Sequence, residues 1–295
     1  MIETNCSMNP PRRILLATDL SARCDRALDR AAQLASQWEA QLVIMHVIEA
    51  APLGATHREF EETPSWRRAP DPSFAVEQQI RRDLRNEVTG VSIILEEGPI
   101  AQSILDVVAR EECDLAILGS ARDGSFGGSS GNTIEQVVRR CPASVLVVKT
   151  RPRGPYRHLL VGTDFTPESR HGLRVAATLF PDATYMLMHA FEMPYRSLLE
   201  PSQLSRDFAA MEEATIKGFV DEAGLSPEVR NRVSTSIEHG PPGAMMSAYV
   251  TERDADLTVI GALGRGLLFH VLIGGTARRI VDAVPSDILV VRATS

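Results

Sequence analysis

The sequence predicts an α/β protein made of two tandem copies of a five-stranded parallel sheet, each sandwiched between helices. Two observations carry this. First, the chain repeats itself: residues 12–35 (RRILLATDLSARCDRALDRAAQLA) lie over residues 157–180 (RHLLVGTDFTPESRHGLRVAATLF) without a gap, matching Leu15 to Leu160, Thr18 to Thr163, Asp19 to Asp164 and Leu28 to Leu173. Further on, LVIMHVIEA (42–50) answers YMLMHAFEM (185–193), CDLAILGS (113–120) answers ADLTVIGA (255–262), and ASVLVVK (143–149) answers SDILVVR (286–292). The offset stays between 142 and 145 residues throughout, which is the mark of a duplicated unit. Second, the apolar residues fall in short unbroken Val/Ile/Leu runs, as strands covered by helices on both faces require, and these alternate with stretches of helical spacing.

Taken in order, Ile14–Thr18 reads as the first strand, and Leu28, Ala31, Ala32 and Ala35 mark the helix after it, with Asp25, Arg26 and Asp29 interleaved on its wet side. Leu42–Val47 and Val91–Leu95 are the second and third strands, and Ile104, Leu105, Val107 and Val108 mark a further helix. Leu115–Leu118 is the fourth strand, Ile134–Arg140 a helix and Val145–Val148 the fifth strand; Ala277–Val284 is the second copy's counterpart of that helix. TRPRGP (150–155) has the prolines and glycine of a linker, which places the two domains at 1–150 and 151–295. The stretches after each second strand, 51–74 and 194–203, read as irregular segments suited to lids.

Composition excludes several classes. Apolar residues are 44% and charged residues 23% of the 295, ordinary for a globular protein. No apolar run approaches the ~20 residues needed to span a bilayer, and Met1–Arg13 has no apolar signal core, so the expectation is a cytoplasmic protein without membrane contact. The formal charge is −7, shared as −5 and −2 between the halves; neither has the basic excess of a phosphate-backbone binder, which argues against nucleic acid. Cys6, Cys24, Cys113 and Cys141 form no C-x-x-C pair and all lie in the first half. They read as free thiols, and no metal site is expected.

In an open parallel sheet, ligands bind beyond the carboxyl ends of the strands. After the first strand of each copy stand Thr18-Asp19 and Thr163-Asp164; after the fourth come GSARDGSFGGSSGNT (119–133) and GALGRGLLFHVLIGGT (261–276), each running into a helix. Glycine lets backbone amides approach an anion closely, and a helix start adds unpaired N–H groups with partial positive charge. Phosphate suits such a place.

With these features the chain resembles the universal stress protein family in its tandem form, over residues 12–292, through the pattern G-x2-G-x9-G-[S/T] followed by a helix and a C-P-ϕ-L-V-V strand. Gly261, Gly264 and Gly274 keep the spacing in copy two, and Cys141-Pro142 precedes SVLVV in copy one. The resemblance implies a Rossmann-like fold of the adenine nucleotide alpha hydrolase kind and a site for ATP or a related adenine nucleotide, with Mg as an optional companion. It implies that Asp164 and Asp19, with Thr163 and Thr18 before them, meet the adenine and ribose end, that the main chain of Ala190 and Val47 meets adenine, and that Gly261, Gly264 and Gly274 wrap the ribose and phosphates. It also implies a sensor or regulatory adaptor acting on an unidentified protein partner, with the two copies paired through their last strands. Homodimerisation of the whole chain is compatible with it.

The pattern breaks in places. Copy two has Gly275 where the family has Ser or Thr, with Thr276 displaced by one; a hydroxyl bonded to a charged phosphate contributes about 1.5–3 kcal/mol, so its loss weakens binding ~10- to 150-fold. In copy one, counting from Gly119, the second glycine becomes Arg122, and Gly131-Asn132-Thr133 comes one residue early. Copy two is therefore the favoured site and copy one a second candidate. Arg265 and Arg122 are the loop cations available to balance phosphate charge. No Walker lysine follows either loop and no nucleophile elbow is present, so no catalytic residue is assigned and hydrolysis would be slow at most. A scaffold of the same fold that has lost nucleotide, or one that binds an apolar ligand, stays open, as does a slow ATPase. His46 and His189 read as core or pocket-edge residues; His239 follows the third strand of copy two without an evident partner.

Overall fold

The computed structural model describes residues 9–21, 24–48, 72–84, 90–120, 129–192, 204–262 and 275–292. The first half runs β1 (Arg13–Ala17), α1 (Asp25–Trp38), β2 (Gln41–Ile48), α2 (Pro72–Asp83), β3 (Val91–Glu97), α3 (Ile100–Arg110), β4 (Leu115–Gly119), α4 (Ser129–Arg140) and β5 (Ser144–Val148). The second runs β6 (His158–Gly162), α5 (Pro167–Leu179), β7 (Thr184–Phe191), α6 (Leu204–Asp221), a short α7 (Pro227–Arg230), β8 (Val233–His239), α8 (Pro242–Arg253), β9 (Leu257–Ala262), α9 (Gly275–Ala283) and β10 (Asp287–Arg292).

Within each half all pairings are parallel, and both halves repeat one order, so that the strands form a single ten-stranded sheet, β3-β2-β1-β4-β5-β10-β9-β6-β7-β8. The join is antiparallel, β5 against β10, with Val145 opposite Val290 and Val147 opposite Ile288. Val145–Val148 and Ile288–Val291 in these last strands are apolar, and left as edges they would offer unpaired N–H and C=O groups on a greasy ribbon. Covering each other removes both edges, as the sequence leads one to expect.

Side chains alternate between faces along each strand. Ile14 and Leu16 join α1, α2, α5 and α6 in one core layer, while Leu15 joins α3, α4, α8 and α9 in the other. Each layer is continuous across the seam. The helices differ from expectation at their starts: α4 begins at Ser129 rather than Ile134, and α9 at Gly275 rather than Ala277. The first turn of a helix needs no partner for its amides, so the glycine-rich residues Gly131 and Gly275 are admitted there, although their weak intrinsic preference hides the helix in the sequence. Likewise Pro72–Phe74, read as part of an irregular segment, open α2, where proline suits a first turn. Residues 51–71 and 194–203, the rest of the expected lids, lie outside the described residues.

A buried polar network crosses the seam. Asp287 is 0% exposed; its Oδ1 accepts from the amides of Lys149 and Thr150 (2.8 Å each) and from the Thr150 hydroxyl (2.9 Å), and its Oδ2 accepts from the Tyr156 hydroxyl at 2.6 Å. The guanidinium of Arg30 stands 3.6 Å from Oδ2 and 3.9 Å over the Tyr156 ring. The linker is thereby clasped between α1 and β10, since Arg30 also donates to the Gly154 carbonyl at 2.8 Å. A buried carboxylate requires this many partners to offset its lost hydration.

Lys149 is 3% exposed, and its ammonium donates to the carbonyls of Val281 and Val284 at the end of α9, the latter at 2.7 Å. Burial pulls its pKa down from 10.5 to about 8, against the opposing pull of Asp282 and Asp287. Between those two values the unfolded chain holds more protons than the folded one, so this group's cost to stability is fully present below pH 8 and is relieved as pH rises from 8 toward 10.5, by on the order of 3 kcal/mol. Urea unfolding of the wild type against Lys149→Met over pH 7–10.5 checks this: the wild type should gain stability relative to the variant as pH rises.

Candidate functional site

The two strand-end turns share one geometry. In the second half, the Thr163 hydroxyl accepts from the Phe165 amide (3.0 Å), Asp164 Oδ1 accepts from the amide and hydroxyl of Thr166 (3.2 and 2.5 Å), and Phe165 sits at φ 64°. In the first, the Thr18 hydroxyl accepts from the Leu20 amide (3.0 Å), Asp19 Oδ1 accepts from the Ser21 amide (2.9 Å), and Leu20 sits at φ 59°. A left-handed conformation is uncommon for such residues; here the Thr and Asp side chains hold it in place. Thr166 is the N-cap of α5, accepting from the Ser169 amide with Pro167 next in line, so capping falls to Thr166, and Asp164 braces the turn instead. Both aspartates remain exposed. Burial works against ionisation of Asp19, but hydrogen bonds from Cys24 and Ser21 outweigh it and hold the carboxyl below its usual range.

The strand-two histidines lock onto the same turns. His189 Nδ1 lies 2.7 Å from the Thr163 carbonyl, and His46 Nδ1 lies 2.9 Å from that of Thr18. A carbonyl only accepts, so each Nδ1 carries the proton. Both rings are half-buried, the pocket-edge placement expected of them. Among the described residues, the second half alone extends a file of rings from there: Phe165 and Phe191 flank His189 at centroid distances of 4.5 and 5.3 Å, and Phe191 meets His239 at 4.9 Å. The first half has Leu20, Ile48 and Glu97 at the matching places.

Ala190 and Val47 occupy a particular position in the ladder. The β6–β7 pairing ends at Gly162 opposite Met188, with the Thr163 amide donating to the Met188 carbonyl at 2.9 Å. Main-chain groups alternate sides along a strand, so those of Ala190, two residues on, face the same side, beyond the point where β6 has turned away. The β7–β8 pairing continues to Phe191 opposite His239. The first half repeats this: Thr18 donates to Met45 at 3.0 Å, and Val47 lies two residues past the last β1–β2 pair. Among the described residues no strand covers this side of either one.

Gly261 closes the site from below, for a reason its spacing did not reveal. A Cβ there would press on the Glu168 carbonyl oxygen, with that group's carbon at 2.6 Å and the Ser169 amide nitrogen at 2.8 Å. The absence of a side chain therefore lets the first turn of α5, and with it the Thr163–Thr166 turn, lie directly on β9. Gly119 ends β4 opposite Val148. Gly275 and Thr276 are the first residues of α9, and Gly131, Asn132 and Thr133 lie in the first turns of α4, so both helix starts stand after the strand next to the aspartate turn. Gly264, Arg265, Gly274 and Arg122 lie outside the described residues.

Arg279, in the second turn of α9, escaped the sequence reading. It lines a hollow of about 330 Å3 with Glu192 and the opening of α8, Pro241–Ala244. The signal was available: a cation near a helix start opposes the helix dipole, and copy one has Gln136 there. A larger cleft of about 690 Å3, lined among others by Pro11, Cys113, Pro142, His171 and Arg292, lies at the seam, and among the described residues it shares none with the candidate sites. No cluster of metal-ligating side chains occurs among the described residues.

A sequence model described as the universal stress protein family matches residues 10–149 and again residues 155–292. The chain belongs to the universal stress protein family. A universal stress protein of Mycolicibacterium smegmatis is 24% identical over 300 residues, covering 95% of this chain and 96% of the relative. Among solved structures, a protein of unknown function from Pseudomonas aeruginosa superposes with a TM-score of 0.66 at 22% identity, over 97% of this chain and 94% of that one. A universal stress protein from Archaeoglobus fulgidus does so at 0.64 and 17%, over 98% of each. The fold of this tandem universal stress protein is thus that of full-length relatives. Among its described residues no helix is long and apolar enough to cross a membrane. Cys24, Cys113 and Cys141 carry free, buried thiols, and burial raises the pKa of Cys24 to about 11 and of Cys113 to about 12. Cys6 lies outside the described residues.

Proposed function

We propose that this universal stress protein binds ATP or a related adenine nucleotide at the strand ends of its second half, with the first half as a second site, and acts as a cytoplasmic sensor or regulatory adaptor for a protein partner. The observation that carries this reading is the main chain of Ala190, which no strand among the described residues pairs on the β6 side, next to the exposed Asp164. An amide N–H and C=O from one residue suit the adjacent acceptor and amino donor of adenine, and a strand-end carboxylate accepts from ribose hydroxyls. The start of α9 offers its first-turn amides to phosphate oxygens, and Arg279 and Arg265 offer charge to balance them. No side chain here is assigned to hydrolysis.

Purified wild type, Asp164→Ala and Gly264→Arg, compared by mass spectrometry of co-eluting small molecules and by calorimetry with millimolar ATP, test the reading. The wild type should carry an adenine nucleotide, and Asp164→Ala should bind ~10- to 150-fold more weakly, the worth of a charge-assisted hydrogen bond. Equal retention by all three removes the site assignment. The scaffold reading, which the missing hydroxyl at Gly275 favours, would show as no heat of binding in the wild type.

A further inference from the structure

Two cations cross the seam in opposite directions. Lys149, just past β5, donates its ammonium to the Val281 and Val284 carbonyls at the carboxyl end of α9. Arg292, the last residue of β10, donates its guanidinium to the Val138 and Arg139 carbonyls, 2.5 and 2.7 Å away, near the carboxyl end of α4. The two residues match in the duplication. They are 3% and 6% exposed, and each is pinned through its own amide by the opposite last strand: Lys149 to Asp287 at 2.8 Å, Arg292 to Ser144 at 3.1 Å. The terminal carbonyls of a helix lack partners within it and carry partial negative charge, so a cation held there fixes the helix end in place. The helices so held are the two whose amino ends follow the glycine-rich loops.

We propose that Lys149 and Arg292 are positioning residues for the nucleotide site of the opposite half, each anchoring from behind the helix whose front faces the phosphates. This rests on the nucleotide reading above. Neither cation touches the ligand. Each sets where the amides at the other end of a rigid rod stand, and such groups must be placed to within about 0.5 Å to work. Each half's site is then complete only when the other half is docked on it, a dependence that the duplication alone does not require.

Asp19→Ala leaves the second-half site as the one measured by calorimetry with ATP, and Asp164→Ala leaves the first. In the Asp19→Ala background, Lys149→Met should weaken ATP about 5- to 10-fold and Arg292→Met should not; in the Asp164→Ala background the pattern should reverse. Lys149→Arg, which keeps the charge, should restore most of the affinity, whereas a general loosening of the fold would weaken both sites together. Equal effects on the two sites, or a loss confined to the cation's own half, would overturn the proposal. Hydrogen exchange on the ligand-free protein gives a separate reading: Lys149→Met should speed exchange in 275–283 more than in 129–140, and Arg292→Met the reverse. If no background binds ATP, the nucleotide reading fails, while unchanged exchange in both helices would refute the anchoring itself.

Discussion

Asp287→Ala should cost about 3–5 kcal/mol, the range found when one partner of a buried ion pair is removed and the other is left behind. Arg30 would keep its charge at 3% exposure, and the amides of Lys149 and Thr150 and the hydroxyl of Tyr156 would lose their acceptor. Each such orphan adds to the loss. The damage would centre on the seam, since Asp287 is the point where linker, α1 and β10 meet. Asp287→Asn is the control. It keeps the shape and an acceptor for the two amides, and the Tyr156 hydroxyl can turn to accept from its amino group, so the loss should be smaller. Urea unfolding with circular dichroism measures both. A midpoint for Asp287→Ala within about 0.5 kcal/mol of wild type, the span of ordinary surface changes, would show that the network does not hold the halves together.

Gly261→Ala should come next in size, at roughly 2–3 kcal/mol, because overpacking against backbone cannot be relieved by turning a side chain. The new methyl group would meet Glu168 and Ser169 main-chain atoms at distances real Cβ atoms do not show. The first turn of α5 must therefore lift from β9, taking with it the Thr166 cap and the Thr163-Asp164 turn. On the nucleotide reading proposed above, the same substitution should lower ATP affinity together with stability. Gly224→Ala serves as a comparison: it sits at φ 65° with open space around it, so its cost should be that of backbone strain, about 1 kcal/mol, with no effect on ATP. Denaturant midpoints and calorimetry on the two variants decide whether Gly261 is there for packing; undiminished stability in Gly261→Ala would leave ligand approach as its only role.

Much of the architecture is readable in the linear pattern because its causes are local and repeated. Buried strands have to be apolar, helix faces have to recur at 3.6, and a duplication prints both twice, so the strands, the paired Thr-Asp turns and even the mutual covering of Val145–Val148 and Ile288–Val291 could be anticipated. The helix starts at Ser129 and Gly275 could not, since glycine-rich first turns look like loop. Arg279 was visible only as a misplaced charge.

The roles that required the folded molecule all depend on main-chain atoms distant in sequence. Gly261 is shaped by the Glu168 carbonyl, Asp287 by the amides after β5, and Lys149 and Arg292 by the ends of helices in the other half. The sequence shows Lys149 and Arg292 in matching positions but not that they reach past each other. Periodicity reports which way a side chain faces within its own element. It carries no record of which carbonyl another element brings within 3 Å, and at that range the packing of helices on a twisted sheet determines what each polar group can bond.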